Sequence, residues 1–156
     1  MTTTTLRLIF AAAIGSLLVA LVYASIPSRA FAAGQTLQPF KTVWIGVYTR
    51  EQAARGKLAA AQTCNRCHGV DLKGGTAPAL TRSAFFDRWH DLKLLDTIVY
   101  IQSAMPHGHD FFVSSDSARD IVAFMLQESG VPSGNEPTPK DADALANILI
   151  TRPAKR

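Results

Sequence analysis

The sequence predicts an all-α domain that follows an N-terminal export segment. Three observations support this prediction: an uncharged apolar run stands near the N-terminus, later segments carry apolar residues at helical spacing, and capping residues or prolines mark the ends of those segments. Little of the remaining chain resembles a β-strand. We therefore expect helices separated by irregular loops.

Residues 1–32 have the pattern of a signal peptide. The first seven residues are polar with one positive charge, and residues 8–24 contain no charge. The motif AFA, which ends at Ala32, is a small-x-small cleavage signal, so we expect cleavage there; a site after Ala24 is the alternative. The apolar run 8–26 is also nearly as long as the ~20 residues that span a bilayer, so an uncleaved anchor is the second interpretation.

The exported remainder has the size of one domain. Loss of Arg7 and Arg29 with the signal reduces the 16 basic residues to 14, against 12 acidic ones, which leaves a net charge of +2. The basic residues form no run longer than Lys155-Arg156, so the electrostatic pattern of a nucleic-acid-binding protein is missing. We divide the exported part into a domain at 33–134 and a C-terminal extension with a short helix at 135–156.

The first helix of the domain is predicted from its cap at Thr49 to about Thr63. Gln52 stands three residues after the cap and completes a capping box, and an alanine-rich run follows. Gly56 lies inside this helix, where glycine costs about 1 kcal/mol relative to alanine. A glycine at this position predicts that another helix crosses close by.

The middle of the chain predicts a loop and two helices. Three glycines and a proline between Gly69 and Thr81 indicate a tight irregular loop. A short helix is expected around 83–89, and another from near Asp91 to about residue 104. Met105-Pro106 ends the latter, because the residue before a proline disfavours the helical conformation.

Two further helices are predicted in the C-terminal third. Ser114 is expected to cap a helix that reaches residue 129, with Gly130 directly after its end. Phe124 on its apolar face is a candidate to lie over Gly56. The sequence TPKD, which begins at Thr138, predicts a last short helix through about residue 150, with a cap, a proline and an acidic residue in the first turn.

The motif CNRCH contains the only two cysteines of the chain, Cys64 and Cys67, followed by His68. Exported cysteines usually form disulfides, but a bridge closing so small a loop would add little stability. Zinc needs four ligands, and no second ligand pair exists; a thioredoxin-like dithiol belongs beside a strand-helix-strand pattern. Cys-x-x-Cys-His is the signature of covalent haem attachment, with two thioether links and a proximal histidine. We predict one haem c; the plain disulfide applies only if no haem is attached.

Met105 is the predicted second axial ligand of the iron. Met1 is lost with the signal, and Met125 lies on an apolar helix face, where methionine usually belongs to the core. Met105 follows a helix, precedes a proline that stiffens the loop, and stands 37 residues after His68, which is enough chain to cross the haem.

Four other residues are candidates for the same site. His107 and His109, in the loop after the methionine, are alternative ligands of the iron. Trp89 is interpreted as a core residue whose indole N–H can reach a haem propionate. The carbonyl of Pro78, within TAPAL, is a candidate partner for the second ring nitrogen of His68, which sets the orientation of that ring.

The segments YTREQAARGKLAAAQTCNRCHGVDLKGGTAPAL, MP and SSDSARDIVAFMLQESGVPSG together resemble class I cytochromes c. The resemblance covers residues 43–134 and is greatest to the small c-type cytochromes that partner bacterial quinoprotein dehydrogenases. It implies an all-helical fold in which the first and last main helices cross at Gly56 and Phe124. It also implies thioether links from Cys64 and Cys67, with His68 and Met105 as axial ligands. The Pro78 carbonyl is then the implied partner of His68.

The loop HGHDFF, after the MP dipeptide, departs from this family. Relatives tend to have proline, glycine and small residues there, whereas this chain places two histidines beside the distal ligand. A change of ligand from methionine to histidine is therefore an expectation specific to this chain.

The resulting expectation is a periplasmic one-electron carrier without catalytic residues, acting freely or as the cytochrome subunit of a dehydrogenase complex. A dehydrogenase would donate electrons, and a terminal oxidase or another cytochrome would accept them. The rival interpretation is an enzyme that opens its distal site to peroxide or another small molecule, with His107, His109 or Asp110 as acid or base. It is disfavoured because so small a domain leaves little room for a substrate and Met105 is placed to close the site. We expect no nucleic-acid partner and a membrane association only through an uncleaved signal.

Overall fold

A computed structural model describes residues 39–106, 108 and 112–154. The predictions for the signal peptide or anchor at 1–32, and for His107 and His109 as ligands, lie outside these residues. Across the described part, no helix is long and apolar enough to cross a membrane. Helices dominate the architecture, and the predicted all-α class is confirmed.

The described part contains six α-helices, two 3₁₀ turns and one two-stranded parallel sheet. The helices are α1 (Arg50–Thr63), α2 (Asn65–His68), α3 (Ser83–Trp89), α4 (Leu94–Ala104), α5 (Ser115–Glu128) and α6 (Ala142–Ala146). The sheet pairs β1 (Lys41–Thr42) with β2 (Ile148–Leu149), so that the two ends of the described chain lie side by side. The 3₁₀ turns are Val43–Ile45 and Val70–Leu72.

Helix α1 begins and ends where the sequence predicts. The Thr49 hydroxyl accepts a hydrogen bond from the backbone N–H of Gln52 at 3.2 Å, as a capping residue should. The second half of the predicted capping box is wrong. The buried Gln52 side chain instead accepts two hydrogen bonds from Thr138, from its backbone nitrogen at 2.8 Å and from its hydroxyl at 3.0 Å.

The predicted crossing of two helices at Gly56 is present between α1 and α5. A methyl group at this glycine would lie 1.7 Å from the carbonyl oxygen of Asp120 and 2.9 Å from the backbone nitrogen of Ile121. These backbone atoms, rather than the ring of Phe124, are the nearest neighbours of that position. Glycine is required there because the two helix backbones touch.

The loop after α2 is irregular, as its glycines predict, and is tied to the surface of α1. The Asp71 carboxylate lies 3.0 Å from the Lys73 ammonium and 3.1 Å from that of Lys57 on α1. These two ammonium groups, Lys73 first, lower the pKa of Asp71. The adjacent side chain of Leu72 is fully buried, so the loop also contributes to the core.

The next two helices agree with their predicted positions except at one end. Helix α3 spans the predicted residues, whereas α4 begins at Leu94 and not near Asp91. The backbone of Asp91 has a positive φ of 65°, which stops the chain from entering the helix there. Lys93 is the cap, and its N–H donates to the Asp96 carboxylate at 3.0 Å.

The predicted cap is correct for one of the two C-terminal helices and wrong for the other. Ser114 caps α5 as expected, through a hydrogen bond from Ser117 N–H at 3.1 Å. The predicted cap of the last helix at Thr138 is wrong: Asp141 is the cap, and it accepts from Ala144 N–H at 2.8 Å. The helix is also shorter than predicted, because the chain leaves it after Ala146 to form β2.

The core lies between α1, α3, α4 and α5 and is covered by the C-terminal extension. Its largest fully buried side chains are aromatic or aliphatic and include Tyr48, Phe85, Leu94, Ile121, Phe124 and Ile150. The Tyr48 hydroxyl donates a 2.6 Å hydrogen bond to the Val131 carbonyl, and burial raises its pKa. The extension is therefore packed on the domain and takes part in the core.

Candidate functional site

A cavity of about 820 Å³ opens beside the CNRCH motif. Its volume lies within the range of roughly 300–1,000 Å³ that is usual for cofactor and ligand sites. Every site residue predicted from the described part of the chain contributes to its wall. They are Cys64, Cys67, His68, Pro78, Trp89 and Met105.

The end of α1 determines where the motif lies. Cys64 closes α1, where its N–H donates to the Ala60 carbonyl at 2.8 Å, and it also precedes the one-turn helix α2. The N–H of His68 then donates to the Cys64 carbonyl at 2.9 Å, and this turn brings both cysteines and the histidine to one wall. Gly69 follows with a positive φ of 75°, where a side chain would meet the Gly74 carbonyl at 2.1 Å. The glycines of the loop thus allow the chain to fold back under the histidine.

The two thiols are not bonded to each other in the structure. Cys64 is half-buried, and its sulfur lies 3.2 Å from the Thr63 hydroxyl, whereas Cys67 is exposed. Burial raises the pKa of Cys64, and the Thr63 hydroxyl opposes part of this effect. The Cys64 sulfur is therefore a protonated thiol at neutral pH.

His68 has one ring nitrogen engaged by the backbone. Its Nδ1 lies 2.7 Å from the Pro78 carbonyl oxygen, which is the contact that the sequence predicted. Because a carbonyl only accepts, Nδ1 carries the proton, and Nε2 is left with the lone pair that binds a metal. Such a contact sets the orientation of a ligating imidazole and increases its basicity.

Two methionines reach the cavity, although only Met105 was predicted to do so. Met105 follows α4 in an extended conformation and is partly exposed. Met125 on α5 also lines the cavity, but it is 1 % exposed and packed in the core. Met105 therefore lies on a loop at the cavity, whereas Met125 is held within a helix.

Arg88 and Tyr100 on the cavity wall were not predicted from the sequence. Arg88 lines the cavity with its guanidinium carbon 4.9 Å from the Trp89 ring and 4.6 Å from the Tyr100 ring. Trp89 is 6 % exposed and packs edge-on against Tyr100 at 5.4 Å. Such stacking on two aromatic faces restricts the conformation of an arginine side chain. An arginine next to the predicted tryptophan was the only available signal.

The residues present fit a haem better than the other cofactors considered. Among the described residues, no three His, Cys, Asp or Glu side chains are placed to hold a bare metal ion. Two thiols, an imidazole with its Nε2 available and a thioether line one large, mostly apolar cavity. Arg66 and Arg88 on the wall suit the two carboxylates that a haem carries.

A family model of known proteins agrees with this assignment. Residues 51–125 match the family model described as cytochrome c oxidase, cbb3-type, subunit III. No curated protein matches the chain. Among solved structures, the sulfane dehydrogenase SoxCD from Paracoccus pantotrophus is similar at 22% identity with a TM-score of 0.46. That similarity covers 62% of this chain and 52% of the other, so this chain spans about half the length of the matched one.

The matched residues run from α1 into α5 and contain the CNRCH motif and Met105. This region therefore includes the helix crossing at Gly56 as well as most of the cavity wall. Attachment of a haem c would account for the thiols, the oriented imidazole and the size of the cavity. The family match covers 75 of the 156 residues, so residues 51–125 are similar to a c-type cytochrome domain.

Proposed function

We propose that this protein is an exported one-electron carrier with one haem c attached covalently through Cys64 and Cys67. The observation that carries the proposal is the meeting of both thiols, His68 and Met105 at one cavity, with His68 oriented by the Pro78 carbonyl. His68 is the proximal ligand of the iron and Met105 the distal one. When bound, the haem supplies a one-electron couple.

The protein residues hold this group and adjust its potential. The Pro78 carbonyl keeps the His68 proton on Nδ1 and fixes the plane of the ring. Histidine with methionine gives a higher potential than two histidines, and the apolar walls exclude water from the site. Met105 would close the site to a substrate when it binds the metal, so the site would favour electron transfer over chemistry on a small molecule.

The partners in this proposal are a dehydrogenase as donor and an oxidase or another cytochrome as acceptor. The resemblance to cytochromes that serve quinoprotein dehydrogenases supports the donor, and the description of the matched family names an oxidase subunit. The pattern of residues 1–32 supports a periplasmic location. The small net charge after cleavage predicts docking that depends only mildly on ionic strength.

The test is an absorption spectrum of the oxidised protein, produced in a host with haem-attachment machinery. Haem staining after denaturing electrophoresis first establishes covalent attachment. We expect the weak iron–methionine charge-transfer band in the far red, and we expect Met105→Ala to abolish it. Met125→Leu is the matched control, because it removes the other cavity-lining sulfur with little change of volume.

Each outcome identifies a different sixth ligand. If the band disappears in Met105→Ala and persists in Met125→Leu, the proposed ligation stands. If the reverse is found, Met125 is the ligand. A wild-type protein with covalent haem but no such band has a histidine or water at the sixth position, and the ligand-switch or enzyme interpretation then replaces the proposal.

A further inference from the structure

Helix α3 supplies much of the cavity wall opposite the CNRCH motif. Ala84, Asp87, Arg88 and Trp89 all line the cavity, and Arg88 carries one of the two positive charges among its lining residues. The position of α3 therefore determines which charges a bound cofactor meets.

Helix α3 is anchored in the core by the buried side chains of Phe85, Phe86 and Trp89, but its ends have little local support. It has seven residues, whereas isolated helices shorter than roughly 12–15 residues are marginal in water. Its N-cap residue, Arg82, has a φ of 63° and makes no side-chain capping bond. The Arg82 N–H donates to the Ser129 hydroxyl at 2.9 Å, so the end of α5 holds the start of α3. The far end of α3 has a support of its own.

The last described residues of the chain provide that support. We call residues 147–152 the C-terminal strap. Directly after α3, the N–H of Asp91 donates to the Ile150 carbonyl, and the N–H of Ile150 donates to the Leu92 carbonyl, both at 2.9 Å. Ile150 is completely buried, so this pair of hydrogen bonds is shielded from water. The strap thus fixes the exit of α3 through the backbone.

A second contact reaches α3 through Trp44. The indole nitrogen of Trp44 donates to the Thr151 carbonyl at 2.9 Å, and the indole ring stacks on Phe86 of α3 with centroids 5.9 Å apart. The pairing of β1 with β2 holds the segment that precedes Trp44 against the strap. Trp44 therefore contacts both the C-terminal strap and α3.

The third contact is an ion pair beside the cavity. The Arg152 guanidinium lies 2.8 Å from the carboxylate of Asp87, the residue that precedes Arg88. Both side chains are about half exposed, so the pair adds little to stability. The pair affects charge instead. Arg152 neutralises Asp87, the one carboxylate among the residues that line the cavity, and that carboxylate could otherwise attract Arg88.

We infer that the C-terminal strap is a positioning element for the redox site, which holds α3 so that the Arg88 cation faces the bound haem. This inference rests on the proposed function. A positive charge close to the iron favours the reduced form, so displacement of Arg88 lowers the midpoint potential. The strap lies outside residues 51–125, the region matched by the family model.

The test compares two substitutions that each remove one hydrogen bond to a backbone carbonyl without changing charge. Trp44→Phe removes the bond to the strap and keeps an aromatic ring over Phe86. Tyr48→Phe is the control, since it removes the 2.6 Å bond to Val131, away from the cavity wall. Both haem-loaded variants are examined by hydrogen exchange of the amides of residues 84–92 and by redox titration.

We expect Trp44→Phe to speed exchange at 84–92 about fivefold, as loss of one hydrogen bond predicts, with α1 unchanged, and to lower the midpoint potential. Tyr48→Phe should change neither quantity selectively. Equal exchange at 84–92 in the two variants overturns the inference, and so does faster exchange with an unchanged potential. Should Trp44→Phe fail to attach haem, Trp44→Tyr replaces it, since it also removes the indole N–H without changing charge and keeps an aromatic ring, and the same two results decide.

Failure of the proposed function is visible separately. A wild-type chain without covalent haem, or without the iron–methionine band, refutes the electron-carrier proposal before any variant is made. The exchange rates at 84–92 do not depend on the identity of the sixth ligand. A redox-active wild type whose α3 is indifferent to Trp44 refutes only the role of the strap.

Discussion

The contact at Gly56 gives the most direct test of how the domain is built. In Gly56→Ala the added methyl lies 1.7 Å from the Asp120 carbonyl oxygen, and ordinary contact begins at 3.4 Å, so α1 and α5 must separate by about 1.7 Å. Overpacking costs about 1–3 kcal/mol, and this site lies at the upper end because the obstacle is backbone that cannot rotate away. The better helix propensity of alanine offsets about 1 kcal/mol. We expect a net loss of about 2 kcal/mol.

Urea denaturation of the haem-loaded protein, followed by far-ultraviolet circular dichroism, measures this loss. Ala54→Gly, at an exposed position of α1, is the control and should cost about 1 kcal/mol through helix propensity alone. Removal of a methyl at position 54 and addition of one at position 56 should thus both destabilise the same helix. A Gly56→Ala protein as stable as the wild type, or more stable, would show that the two backbones are not in contact.

Two further substitutions test contacts that cross the fold. Gln52→Leu should cost about 2 kcal/mol, because it leaves two buried donors of Thr138 without an acceptor; the same change at exposed Gln62 should be nearly neutral in urea denaturation. Asp71 has a lowered pKa, so its ion pairs stabilise the folded state above its ordinary pKa of 3.8 and cease to do so as the pH falls through the lower folded value. Asp71→Asn should therefore be less stable than the wild type at pH 7, and thermal melts should show this gap closing below about pH 3.8.

The sequence predicted best the helices whose signals are local. Thr49 and Ser114 cap α1 and α5 because a hydroxyl and the N–H groups that follow it are only a few residues apart. Prediction failed where a distant partner competes for the same side chain. Thr138 has the composition of a cap, but its donors are used by Gln52, 86 residues away, and the helix begins later at Asp141.

In the site, too, the residues that are close together in the sequence could be predicted, whereas those brought together only by helix packing could not. CNRCH specifies its own geometry, since two thiols and an imidazole within five residues on one turn must share a wall. Met105 could be inferred by elimination because few methionines exist. Arg88 and Tyr100 could not be identified as parts of the site, since their pairing across α3 and α4 depends on how two helices pack.

The two walls of the cavity are held by different parts of the chain, although residues 51–125 contain the lining residues of both. The wall with Cys64 and His68 follows from α1 and its crossing with α5, both within or close to residues 51–125. The wall with Arg88 depends on contacts from outside that region, such as the bond between Trp44 and Thr151, which are 107 residues apart. Because the entropy of closing a loop rises only with the logarithm of its length, such a distant contact costs little more than a near one. An extension at either end of a cytochrome domain can thus adjust the redox site without altering the motif that binds the haem.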